Sequence, residues 1–112
     1  MFMSDKRSGL VLGTLDMLIL KTLTLEPLHG YGISVRIEQA SKGVFRLNPG
    51  SLFVAIQRLE RDGLIDAEWK PSENNRRARY LAMTEKGRRR LTNETRKWDR
   101  QVAAIARILE AS

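Results

Sequence analysis

The order of apolar and polar positions divides the chain into four helical stretches and one hairpin. From Leu10 to Leu25 apolar residues occupy more than one helical face: Leu10, Leu12, Leu15, Leu18, Ile19 and Leu23, but also Val11, Met17 and Leu20. A helix apolar nearly all round must bury two sides. One side covers a small core, and in so short a chain the other needs a second copy. Pro27 stops this helix by removing a backbone donor. A second helix runs from Gly30 to about Ser41, with Tyr31, Ile33, Val35 and Ile37 on its apolar side and Tyr31 packed between the first two helices. Lys42-Gly43 ends it, glycine being free to take the left-handed cap conformation. Val44-Phe45-Arg46-Leu47 is a brief extended link.

The third helix has the clearest start. Asn48 caps it, and Pro49 suits the first helical position because its missing N–H would be unpaired there anyway. Leu52, Ala55, Ile56 and Leu59 recur at helical spacing and face the core. Ser51, Val54, Gln57, Arg58 and Arg61 are left on the other side, with Phe53 at the edge, and Gly63 closes the helix. From Leu64 to Lys70 the pattern alternates, with Ile65, Ala67 and Trp69 pointing one way, so Trp69 is expected in the core. Pro71-Ser72-Glu73-Asn74-Asn75 is a turn, and Arg77 to Met83 alternates again. Thr84 caps a last helix running to about Glu110, with Glu85 at its positive end. Along it Leu91, Thr95, Trp98, Val102, Ile105 and Leu109 are spaced 4, 3, 4, 3, 4, the 3.5-residue seam of helix-on-helix packing.

These elements make a mainly α fold with a small β hairpin, a winged helix-turn-helix followed by a C-terminal dimerisation helix. The expected divisions are an N-terminal arm over residues 1–8, the winged domain over 9–83 and the dimerisation helix over 84–112. A chain of 112 residues with 42% apolar content supports one modest core and gains much by burying surface against a partner. With no apolar run near 18 residues and no signal-peptide core, the chain reads as cytoplasmic.

Charge sharpens the picture. The formal net charge is +7, and its location says more than its size. Between Arg76 and Arg90 stand six arginines and Lys86 against Glu85 alone, so nearly all the excess lies in the hairpin and the start of the last helix. That placement points to a polyanionic partner, double-stranded DNA. The absence of cysteine excludes disulfides and thiolate sites, and one histidine makes a histidine metal cluster or triad implausible. No acid–base pair, nucleophile constellation or phosphate loop is visible, so the chain is not read as an enzyme, and no cofactor is expected.

On the third helix, Ser51, Phe53, Val54, Gln57 and Arg58 are the candidates for DNA contact. Arg and Gln carry donors that match guanine and adenine edges, and Val54 offers a methyl surface to thymine. Arg76, Arg77 and Arg79 are the candidate backbone anchors on the wing, acting through phosphates and minor-groove potential more than base reading. Arg88, Arg89 and Arg90 cannot all face one way. Arg61 stands near a helix end, where it is equally placed to pair with an acid. Leu15, Ile19, Leu91, Trp98, Val102, Ile105 and Leu109 are the candidates for a dimer interface or effector pocket. Trp98 there is either a packing residue or, paired with its copy, the wall of a flat pocket for an aromatic effector. His29 after Pro27-Leu28 is expected to cap, not to catalyse. Two other functions are compatible with the fold: a winged-helix protein-interaction module, and an RNA binder, for which stacking aromatics are scarce at 6%.

Five stretches in order, Leu12-Gly13-Thr14-Leu15-Asp16-Met17-Leu18-Ile19-Leu20, His29-Gly30-Tyr31-Gly32-Ile33, Gly50-Ser51-Leu52-Phe53, Arg58-Leu59-Glu60-Arg61-Asp62-Gly63-Leu64-Ile65 and Arg79-Tyr80 through Thr84-Glu85-Lys86-Gly87-Arg88, resemble the PadR family of bacterial transcriptional regulators. The resemblance covers about residues 9 to 110 and is to the subgroup with one C-terminal helix. It implies a homodimer on a two-fold operator, usually a repressor, with the third helix in the major groove and the hairpin near the minor groove or backbone. The first and last helices would form the dimer interface, and some relatives release DNA when a phenolic acid or planar drug binds. Two departures stand out. The family pattern has Tyr-Pro where this chain has Phe53-Val54, which removes a hydroxyl worth roughly 1 kcal/mol wherever it makes a hydrogen bond. Leu81 replaces the family's frequent second tyrosine after Tyr80.

Overall fold

Ile19 and Leu20 have no exposed surface, and the other elements are laid around them. The computed structural model describes residues 13–111. Its elements are α1 (Thr14–Thr22), α2 (Gly30–Ala40), α3 (Pro49–Arg61), β1 (Ile65–Pro71), β2 (Arg77–Met83) and α4 (Glu85–Glu110). The arm expected over residues 1–8, and Leu10, Val11 and Leu12 of the first apolar stretch, lie outside the described residues. One core joins Ile19, Leu20 and Leu23 to Ile33 and Ile37 of α2, to Leu52, Ala55, Ile56 and Leu59 of α3, and to Leu64, Ile65, Leu81 and Leu91.

Local chemistry sets the boundaries. Helix α1 stops at Thr22, five residues before Pro27, so the proline is not what ends it. The Thr22 hydroxyl donates to the Leu18 carbonyl at 2.7 Å and the Thr24 hydroxyl to that of Lys21 at 2.8 Å. Side-chain bonds of this kind compete with the backbone ladder. Pro27 instead leads into Leu28, which pairs with Leu81 through two backbone bonds of 3.1 and 2.9 Å. The hairpin is thereby fastened to the segment before α2. His29 caps α2 as expected, its Nδ1 accepting from the Gly32 amide at 3.0 Å. Gly43 takes φ 82° and donates to the Glu38 carbonyl at 2.8 Å, closing the helix.

Tyr31 departs from expectation: it is 76% exposed and does not pack between the first two helices. At about 100° per residue, two positions turn a helix by about 200°, so Tyr31 and Ile33 stand nearly opposite. The core takes Ile33 and Ile37, four apart, and Tyr31 faces out.

Asn48 caps α3 with one oxygen, which accepts from the Gly50 amide at 2.8 Å and the Ser51 amide at 3.1 Å. The strands pair antiparallel in the register Ile65↔Met83 through Pro71↔Arg77. Their core end is buried, but Trp69 is 55% exposed, contrary to its expected place in the core. Four residues beyond Ile65 is about 13 Å along a strand, and the hairpin has by then outrun the helices that cover Ile65. At the tip, the Ser72 amide donates to the Arg76 carbonyl at 2.7 Å and Asn75 turns the chain with φ 68°.

Thr84 joins the wing to α4. Its hydroxyl accepts from the Gly87 amide at 3.0 Å and donates to the Gly63 carbonyl at 2.8 Å. Gly87 is buried with its Cα against the Leu64 carbonyl, where any Cβ would overlap that oxygen. Helix α4 has 26 residues, about 39 Å of helix. Only Gly87 and Leu91 are buried in it, so most of its length projects beyond the core. Among the described residues no helix is long and apolar enough to cross a membrane.

Candidate nucleic-acid interface

Helix α3 turns Leu52, Ala55, Ile56 and Leu59 inward, which leaves Phe53, Val54, Gln57 and Arg61 exposed on the opposite arc. Val54, Gln57 and Arg61 follow at i, i+3 and i+7, so they form one line along the helix. Phe53 and Val54 are more than half exposed, and Ser51 is exposed at the N-terminal turn.

Two ion pairs bracket this face. Arg58 and Glu60, about 200° apart on the helix, flank it on opposite sides. On one side Arg58 Nη2 donates to Asp16 Oδ1 of α1. On the other, Arg79 Nη2 of β2 lies 2.5 Å from Glu60 Oε2. Two of the arginines expected to meet DNA are therefore already engaged within the protein. Arg58 keeps 41% of its side chain exposed against 17% for Asp16. Arg79, expected as a backbone anchor, is paired with Glu60 across the junction of wing and helix, with about a third of its side chain exposed.

Arg76 and Arg77 sit as expected, exposed at the hairpin tip with no ion pair to another described residue. Arg88 and Arg89 approach Glu85 at 3.9 Å each, long and exposed contacts worth little. Arg61 comes within 3.5 Å of Asp62. An aromatic group stiffens the root of the wing. The His29 ring meets Tyr80 edge-on at 5.2 Å and lies 6.5 Å from Tyr31, while Lys70 Nζ stands 4.9 Å over the Tyr80 ring. Because Nδ1 of His29 accepts a bond, Nε2 carries the proton and donates to Glu73 at 3.4 Å. Leu81, the departure from the family's second tyrosine, is a core residue joined to Leu28.

The residues expected at a dimer interface divide in two. Ile19 and Leu91 lie in the chain's own core, Ile19 with no exposed surface and Leu91 with 9%, and Leu15 is half-buried against that core. Trp98, Val102, Ile105 and Leu109 remain exposed along one stripe of α4, joined by Ile108, with exposure rising from 38% at Trp98 to 79% at Leu109. Beside Trp98, α1 and α4 leave an open hollow of about 110 Å³ lined by Gly13, Thr14, Met17, Glu94, Lys97 and Gln101.

Sequence reasoning missed Asp16, Glu60 and Gly87. Asp16 is the one acid of α1, and that signal was present. Nothing in the local pattern marks Glu60 as a tether or Gly87 as a point of close approach.

The family model for the PadR-like transcriptional regulators matches residues 19–93. A 37.1 kDa protein of a transposon from Streptomyces fradiae is 43% identical over 79 residues, which is 70% of this chain but 21% of that protein; this chain thus spans about a fifth of the length of that relative. The fold is similar to that of a transcriptional regulator from Clostridium thermocellum, with a TM-score of 0.80 at 24% identity over 88% of this chain and 92% of the other. A PadR family regulator from Eggerthella lenta gives 0.77 at 27% identity, covering 89% of this chain and 85% of that one. Both of those proteins are regulators of transcription. The chain belongs to the PadR-like family of transcriptional regulators.

Proposed function

We propose that this protein is a cytoplasmic, sequence-specific DNA-binding repressor that acts as a homodimer. The observation that carries the reading is an exposed α3 face beside two exposed arginines at the wing tip. Ser51, Val54, Gln57 and Arg58 contact bases or adjacent phosphates, with Phe53 in apolar contact at the edge. Arg76 and Arg77 hold the backbone. The exposed stripe of Trp98, Val102, Ile105 and Leu109 supports dimerisation, since an apolar helix face of this length is costly to leave in water. A two-fold dimer would set the two α3 helices in successive major grooves, about 34 Å apart.

The hollow beside Trp98 suggests how a signal enters. A cavity that holds benzene is about 150 Å³ and closed, whereas this one is about 110 Å³ and open. A small aromatic effector would therefore need a second wall, which a partner's Trp98 could supply, and its binding would release DNA by shifting the dimer.

The test is a fluorescence-anisotropy titration on duplex from upstream of the protein's own gene and on a scrambled duplex, at several salt concentrations. Tight binding to the first alone, falling steeply with salt, is expected. Weak, salt-insensitive binding to both would favour a winged-helix protein-interaction module instead.

A further inference from the structure

We propose that Asp16 is the positioning residue for Arg58, fixing the guanidinium so that α3 can discriminate between DNA sequences. This rests on the DNA-binding reading above. Asp16 is the one acid on α1, and its side chain is five-sixths covered, yet its oxygen meets Nη2 of an arginine 42 residues away in sequence. A carboxylate so largely covered is costly to bury unless a cation answers it. Arg58 answers it with one nitrogen. Nε and Nη1 have no hydrogen-bond partner among the described residues, and Arg58 follows Ser51 and Val54 by seven and four positions, which sets the three on one face of the helix.

Arginine reads guanine through two parallel bonds, so its plane must be set to within a small angle. An unrestrained arginine loses rotamer freedom when it docks; one already clamped by a partly buried carboxylate has less to lose. The same carboxylate opposes DNA non-specifically, because it sets a negative charge near the phosphates. Asp16 therefore has two opposite effects, favouring the correct sequence through Arg58 and disfavouring every sequence slightly through its charge. A residue that merely stabilises the fold would change both in the same direction.

The test uses the full chain and a duplex obtained by in vitro selection with the wild type, beside a scrambled duplex. For Asp16→Asn the ratio of the two affinities should fall by about tenfold, a fraction of one bidentate contact, while affinity for the scrambled duplex holds or rises. Asp16→Glu should restore part of the ratio, and in an Arg58→Ala background Asp16→Asn should change it no further. Thermal unfolding of each variant identifies any that is not folded, and if Asp16→Asn fails there, Asp16→Glu with Arg58→Lys carries the same comparison. A ratio unchanged by Asp16→Asn, one that rises, or one that falls equally without Arg58, would overturn the role of Asp16 while leaving the DNA-binding reading intact. A wild type that selects no sequence would overturn both.

Discussion

The Arg79 guanidinium lies 2.5 Å from the Glu60 carboxylate, joining the middle of β2 to the last turn of α3. Both side chains are about a third exposed, so the pair contributes on the order of 1 kcal/mol or less. Its larger effect is geometric, since it fixes the wing's angle to the helix beside it.

That tether separates two arginines only two positions apart. Arg79→Ala should lower stability by up to about 1 kcal/mol and leave the salt dependence of DNA binding unchanged. Arg77→Ala should leave stability within about 0.5 kcal/mol, weaken binding to all sequences alike, and reduce the slope of log K against log salt by about 1. Urea unfolding and salt titrations read both. If the two substitutions flattened the slope equally, Arg79 would be a phosphate contact after all.

Gly87→Ala tests the junction of wing and α4. Alanine is favoured over glycine in a helix by about 1 kcal/mol, so propensity alone predicts stabilisation. Here the added methyl would overlap the Leu64 carbonyl oxygen and press on Met83. We expect a net loss of about 2 kcal/mol or more from overpacking, seen as a lower urea midpoint. A gain in stability would mean that α4 does not sit so close to the Leu64 backbone.

On α4, Trp98→Asp should disperse the proposed dimer, because it places a charge in an apolar stripe, while the fold of each chain survives since Trp98 lies outside the core. Analytical ultracentrifugation measures the first and circular dichroism the second. Leu91→Ala should behave oppositely. Its side chain is buried in the chain's own core, so it should cost about 2–5 kcal/mol of stability. A variant that stayed dimeric with Asp at position 98 would discredit the seam.

Gln57→Ala probes the centre of the α3 face. It removes no packing, since the side chain is exposed, so stability should stay within about 0.5 kcal/mol. Sequence preference should relax at one base position by about 1–3 kcal/mol, read by competition with single-base variants of the selected duplex. No change at any position would remove Gln57 from the reading line.

Much of this fold was legible in the sequence because caps and turns are local. The cap bonds of Asn48 and Thr84 and the turn at Ser72–Asn75 are made with neighbouring residues, and the helices and strands they bound match expectation closely. The failures share a cause. Apolar character alone groups Tyr31 with Ile33 although a helix sets them on opposite sides, and for Trp69 alternation tells which way a strand residue points but not how far the core extends. Of the candidate site, the exposed α3 face and the basic tip could be read from spacing and charge. The engagement of Arg58 by Asp16 and of Arg79 by Glu60 could not, because such pairs depend on how helices and wing dock, which no local pattern records.

The most direct test of the central claim, that two α3 helices read one operator, is hydroxyl-radical footprinting of the selected duplex with the wild-type chain. Two protected patches related by a two-fold axis, with centres about one helical turn apart, are predicted, and they should vanish together with Trp98→Asp. A single patch, or protection that persists unchanged in that variant, would contradict it.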